Sequence, residues 1–234
     1  MKFLKLILMF LILPSCTGAI PDHNLIPMNL TSLESIKSGI NLYNKRIIKK
    51  ADILSNITFK YHGRSMSVLG ITSINEENRA YNVAALNPMG VTVFQLKVKD
   101  DKIVSSYIIP MFTQGKNMKN NRNNADKAAR MISSDIACIY FNRSVNQELL
   151  DIRHRKNRIV LKSILKENQY YKYIFAGRPL RLITKIKYKN SRKIWSVDYY
   201  DYQKKDIFLM PFKIILRNHE YGYRLEIQTK KVTI

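Results

Sequence analysis

The chain has 234 residues, with 40 Lys and Arg against 17 Asp and Glu, a formal charge of +23 and a pI of 10.0. At 46% hydrophobic residues it can bury a sizeable core, which excludes a disordered chain. A basic surface suits anionic lipid headgroups, lipopolysaccharide or nucleic acid. The competing explanation is genomic: Lys, Asn and Ile are abundant throughout, as in proteins of AT-rich organisms, and the cations are spread over the whole chain.

The first residues read MKFLKLILMFLILPSCTG. Lys2 and Lys5 form a short positive region, and residues 3–13 form an apolar run below the roughly 20 residues needed to span a bilayer. This pattern predicts a secretory signal peptide over residues 1–15. Leu13-Pro14-Ser15-Cys16 resembles the lipobox of bacterial lipoproteins, in which cleavage precedes a cysteine that takes a diacylglycerol. Cys16 is therefore the expected lipidation site, its anchor built on fatty acids such as palmitate. Thr17 follows; it is not the Asp that retains such proteins at the enterobacterial inner membrane. Cys138 is then the second and last cysteine, expected as a buried, inert thiol. Gly18, Pro21, Asn24, Pro27 and Asn29 make residues 16–31 a lipidated tether, and residues 32–234 are expected to form one domain.

From Ser32 the spacing of Leu33, Ile36, Ile40, Tyr43 and Ile47 predicts a helix. Strands are expected over 53–60, 64–74, 80–86, 91–99 and 102–109, with Gly70 as a bulge or bend in the second. The turn between the third and fourth is Asn87-Pro88-Met89-Gly90, which puts an apolar side chain where water is the usual neighbour. Phe94, Leu96 and Val98 give the fourth strand one apolar face. QGKNMKNNRNN (114–124) reads as a polar loop. Residues 125–141 read as a helix with a stripe that includes Ile132, Ile136 and Ile139. DIRHRKNR (151–158) reads as a solvated loop or strand entry.

Strands follow over 158–165 and 170–176. In the next, Leu182, Thr184, Ile186 and Tyr188 alternate with outward Arg181, Ile183, Lys185, Lys187 and Lys189. Trp195, Val197 and Tyr199 share one face, then Phe212, Ile214 and Leu216, then Tyr223, Leu225 and Ile227. The predicted class is mainly β (α+β): ten or eleven strands in antiparallel meanders that make two halves of one sheet, with the 125–141 helix packed against it.

Catalytic signals are lacking. There is no GxSxG, HExxH, P-loop or GxGxxG. His23, His62, His154 and His219 have no partner at a metal-ligand spacing, so neither a metal nor a cofactor is predicted. Asp198 and Asp201 should point to opposite faces of a strand, which argues against a carboxylate dyad. Trp195 reads either as a core residue or as a ligand platform.

Several segments together resemble the LolA/LolB-like outer-membrane lipoproteins: ALNPMGVTVFQL (85–96), the helix ADKAARMI (125–132), the Leu182–Tyr188 stretch, W-x-V-x-Y-x-x-Y from Trp195, M-P-x-x-I-x-L from Met210, and L-x-I at Leu225. The resemblance spans residues 53–234 plus the lipobox. Phe94 and Asp135-Ile136 fit equally a second, uncharacterised LolB-like branch.

The resemblance implies an unclosed β-barrel with a helical lid over an apolar cavity that takes acyl chains. Its expected lining is Phe94, Leu96, Val98, Ile132, Ile136, Ile139, Leu182, Ile186, Trp195, Val197, Tyr199, Leu225 and Ile227. Pro88, Met89 and Gly90 fall where the family has a protruding loop needed for membrane insertion. Implied partners are lipoprotein acyl chains or another lipid, the inner leaflet of the outer membrane reached through the anchor, and a periplasmic carrier protein; an exported lipoprotein leaves no role for nucleic acid. The implied activity is non-catalytic receipt or insertion of lipoproteins. A binding module for another lipid or glycolipid, and a structural lipoprotein docked on a partner complex, stand as alternatives.

Overall fold

A computed structural model describes residues 25–27, 32–109, 121–141, 143, 145, 150–155, 157–166 and 168–234. Cys16, the expected signal peptide, most of the expected tether and residues 114–120 of the expected polar loop lie outside these residues.

Helix α1 (Leu33–Lys45) opens the domain. Ser32 caps it: its hydroxyl accepts from the Ser35 amide at 3.1 Å, and the Ser35 hydroxyl accepts from the Ser32 amide, closing a capping box. Five strands follow: β1 (Lys50–Tyr61), β2 (Arg64–Asn75), β3 (Ala80–Leu86), β4 (Thr92–Lys99) and β5 (Lys102–Ile108). Helix α2 (Asn121–Tyr140) intervenes. Seven strands complete the chain: β6 (Leu150–Arg155), β7 (Arg158–Lys166), β8 (Gln169–Ala176), β9 (Arg181–Lys189), β10 (Arg192–Lys205), β11 (Phe208–Asn218) and β12 (Tyr223–Thr233).

All twelve form one antiparallel sheet in the order β5-β4-β3-β2-β1-β12-β11-β10-β9-β8-β7-β6. The two meanders join where β1 pairs with β12, and β5 and β6 remain as edges, so the sheet is unclosed. The expected count fell short by β6. Its dense cations hid a strand that pairs in unbroken register with β7, from Leu150 opposite Ser163 to Arg155 opposite Arg158. Helix α2 also starts four residues earlier than the apolar stripe suggested, at Asn121.

Gly70 is not a bulge, because β1 and β2 pair without a register break across it. A Cβ there would strike the Ile57 side chain, so Gly70 makes room for a neighbour. Among the register shifts of the sheet, the one in β9 re-aims side chains of the core. Ile174 pairs with Thr184 and Phe175 with Leu182, leaving Ile183 as an extra residue. Leu182 therefore faces the main core, Ile183 packs with Ile174 and Ala176 in a small cluster under Leu25, and Lys185 returns to the core side. The expected alternation is inverted beyond this point. Ile186 stands opposite Ser196, which lies between core-facing Trp195 and Val197, so Ile186 faces away from the concave side.

Both helices lie on the concave face. Helix α1 fills it over the second meander through Ile36, Ile40 and Tyr43; the Tyr43 ring meets Phe175 edge-on, centroids 5.0 Å apart. Helix α2 crosses β4, β5 and β11. Its C-terminal carbonyls, which the helix itself cannot satisfy, are each taken by a buried side chain. Lys185 Nζ donates to the carbonyls of Phe141 (3.0 Å) and Cys138 (3.4 Å). The Tyr199 hydroxyl donates to that of Ile139 at 3.0 Å, and Arg143 Nε to that of Tyr140 at 2.9 Å.

Replacing Tyr199 by Phe removes one of these donors and strands a buried carbonyl. The expected cost is about 1–3 kcal/mol, read as a lowered urea midpoint by circular dichroism.

Candidate functional site

The concave face is not filled evenly. Between β1–β5, β12 and α2 lies a cavity of about 430 Å³. It is walled by Ile57, Phe59, Val68, Val83 and Phe94 on the sheet, and by Met131, Ile132, Ile136 and Ile139 on α2. The period-2 alternation of β1–β4 sends these sheet residues inward, and the helical spacing of Ile132, Ile136 and Ile139 aims them back at the sheet. Tyr61 and Tyr221, each nearly half exposed, stand where the cavity reaches the rim formed by the β1–β2 and β11–β12 turns.

The expected lining residues divide into three groups. Phe94, Ile132, Ile136, Ile139, Leu225 and Ile227 line the cavity. Leu96, Val98, Leu182, Trp195, Val197 and Tyr199 are buried in the packed core beside it. Ile186 belongs to the opposite face, for the β9 bulge given above. Trp195 is a core residue 3% exposed, with Lys185 Nζ 5.5 Å from its ring centre, and not an open platform.

Two polar residues inside this region were not expected. The first is Lys185, fully buried, held by helix carbonyls and faced by Tyr171 and Tyr173 as well as Trp195. Burial pulls its pKa down to about 8. The second is Asp135, 2% exposed on the cavity wall. Its carboxylate accepts from the Tyr223 hydroxyl, which in turn accepts from Asn218 Nδ2 at 3.1 Å. Burial raises its pKa to about 7, opposed by the hydrogen bonds from Tyr223 and Asn218. A sequence signal existed for it: Ala128, Ile132, Asp135 and Ile139 follow one helical stripe, so an acid interrupts an apolar row.

The Met89 turn is built by Asn87. Its side-chain oxygen accepts from the amides of Met89 (3.0 Å) and Val91 (2.9 Å), and Gly90 takes the positive φ of +79° that the turn needs. Met89 does not fold back on the sheet: it is 83% exposed, with Val91 beside it at 56%. The turn lies at the same end of the sheet as the β1–β2 and β11–β12 turns.

Among the described residues no cluster of His, Cys, Asp or Glu can hold a metal, and no helix is long and apolar enough to cross a membrane. Cys138 is free and buried, its thiol pushed up to about 12 by burial. His219 Nε2 lies 3.1 Å from the Ser196 hydroxyl on the face opposite the cavity. Asp198 is committed to Arg217 and Thr184.

This geometry defines a LolA-like half-barrel, and comparison with solved structures supports the class. The LolA superfamily protein NE2245 from Nitrosomonas europaea aligns with a TM-score of 0.54 at 11% identity, covering 85% of this chain and 92% of that one. A domain from Vibrio parahaemolyticus assigned to outer-membrane lipoprotein sorting aligns with a TM-score of 0.53 at 12% identity over 84% and 92%. A DUF1329 family protein from Desulfovibrio piger gives 0.54 at 11% over 84% and 92%. These likenesses establish the fold.

A family model described as "Protein of unknown function (DUF3261)" matches residues 53–231, and the chain belongs to that family. Comparison with curated proteins finds no match.

The raised pKa of Asp135 fixes the sign of a pH effect. An unfolded aspartate ionises near 3.8, whereas the folded one holds its proton to about 7. Its contribution to stability is therefore fully present below 3.8 and is lost as pH rises through 7. Asp135→Asn should gain in melting temperature relative to the parent between pH 5 and pH 8. A constant difference across that range would refute the assignment.

Proposed function

We propose that the protein is a lipid-anchored, LolB-like lipoprotein of the outer membrane that shelters acyl chains in the α2-covered cavity and helps receive or insert lipoproteins, without a catalytic step. In this reading residues 1–15 are the signal peptide, Cys16 carries the anchor, and residues 16–31 tether the domain to the periplasmic face of the outer membrane. A periplasmic carrier is the expected donor of cargo.

The observation that carries the reading is the apolar cavity between α2 and the first meander, which opens at the end of the sheet where the exposed Met89 turn also lies. Each methylene moved from water into such a space contributes about 0.8 kcal/mol, so an acyl chain supplies its own driving force. The volume, about 430 Å³, suits a single chain better than three. Met89 fits a role at the bilayer because it is apolar, adaptable and held outward by a turn that Asn87 keeps rigid.

Two substitutions test this. Ile132→Trp places a large ring in the cavity and should abolish binding of a fluorescent fatty acyl probe while the melting transition stays cooperative. Retained probe binding would remove the cavity from the reading. Met89→Asp should leave probe binding intact and impair membrane delivery of lipoproteins in cells that depend on this protein. Unchanged delivery would free Met89 of the role.

A further inference from the structure

Next to the cavity, on the far side of Tyr223, lies a second and wholly different recess of about 680 Å³. It sits between the β1–β2 and β11–β12 turns, and Tyr61 and Tyr223 wall both spaces. Its charged lining is cationic: Arg64 shares the concave side with Tyr61, its pair across β1–β2, while Lys60, Arg217 and Arg224 reach the recess from the other face of the sheet, with His62 and His219 at the turns.

Two carboxylates answer these four cations. Glu226 pairs with Lys60 at 2.6 Å and lies 3.0 Å from Arg224 Nε, and Asp198 pairs with Arg217. Arg64 is exposed and has no acidic partner among the described residues. The recess thus keeps a surplus of positive charge, and the half-exposed Lys60–Glu226 pair is the kind that yields at little cost to a competing anion. His219 feels the same field: burial first, then Lys193 and Arg217, lower its pKa below the ordinary histidine value.

The two spaces have opposite preferences. The inner one is apolar, and the carboxyl on its wall, Asp135, repels an anion once ionised. The outer one offers guanidinium and ammonium donors suited to phosphate oxygens. We propose that the recess is the headgroup site for a phosphate-bearing lipid whose acyl chain occupies the adjoining cavity, with Arg64 as the principal free cation. This rests on the cavity reading above and adds to it the class of amphiphile and its orientation: phosphate outward at the turns, hydrocarbon inward under α2.

The test uses the full chain and displacement of a fluorescent acyl probe by three ligands. These are phosphatidylglycerol, diacylglycerol with the same chains, and glycerol 3-phosphate. Phosphatidylglycerol should bind about tenfold more tightly than diacylglycerol, the worth of one charge-assisted contact. Arg64→Glu, at an exposed position, should erase that preference and leave diacylglycerol binding unchanged; Lys60→Gln should reduce it.

Equal binding of the two lipids in the parent protein overturns the headgroup site and leaves the cavity reading standing. An equal loss for both lipids in Arg64→Glu overturns it too, since the residue then acts on the cavity and not on the phosphate. If glycerol 3-phosphate binds directly as tightly as the lipid, the recess is a free-anion site independent of the cavity. Failure of both lipids to displace the probe, or of the probe to bind at all, sinks the cavity reading first and this inference with it.

Discussion

The carbonyls at the C-terminal end of α2 are the point on which the rest of the structure depends. A helix end buried against a sheet leaves its last carbonyls without intrahelical partners, and each one unpaired would cost a few kcal/mol. Here Lys185, Tyr199 and Arg143 take all four from Cys138 to Phe141. Arg143 also donates to the Ile48 carbonyl at 2.8 Å, tying the same helix end to the entry of β1. The negative end of the helix dipole meets two cations, so Lys185 is stabilised there with no carboxylate partner among the described residues. That anchorage lets α2 stand over the first meander without being drawn flat onto it.

The hollow is a consequence of how the two helices divide the concave face. Helix α1 and its aromatic contacts close the second meander, where Phe175, Leu182, Tyr199 and Trp195 pack to full burial or nearly so. Helix α2 offers Ala128, Met131 and Ile132 to the first meander, and the small Ala128 faces a floor that Ala85 leaves shallow. A long side chain at Ala128 or Ala85 would fill the space. Small residues on both facing surfaces are what keep it open.

Much of this was legible in the sequence. The alternation in β4, β10 and β12 and the helical stripe around Ile132, Ile136 and Ile139 placed the concave side correctly, because period-2 and period-3.6 patterns are local. The bulge at Ile183 was not legible. It arises from how β9 pairs with β8, a long-range constraint, and it turned Lys185 inward and Ile186 outward against the simplest alternation. Strand β6 was masked for a related reason: at a sheet edge, alternation is weak and cations are the usual guard against further pairing. Which part of the concave face stays open was also beyond the sequence, since that depends on where α1 comes to rest.

The +23 charge takes on different meanings at different positions. Lys185 and Arg143 are internal ties whose charge serves the helix end. The cations around the β1–β2 and β11–β12 turns stand on one side of the Tyr223 wall and the Asp135 carboxyl on the other. Asn218 and Tyr223 donate in sequence towards Asp135, which orients that wall: its hydrogen-bond acceptors lie inside and its positive groups outside. A general surplus of lysine from genome composition would scatter charge without regard to the cavity. At this boundary the charges are ordered with respect to it. If the recess takes a phosphate as proposed, an amphiphile with an anionic head would lie across Tyr223 in only one sense.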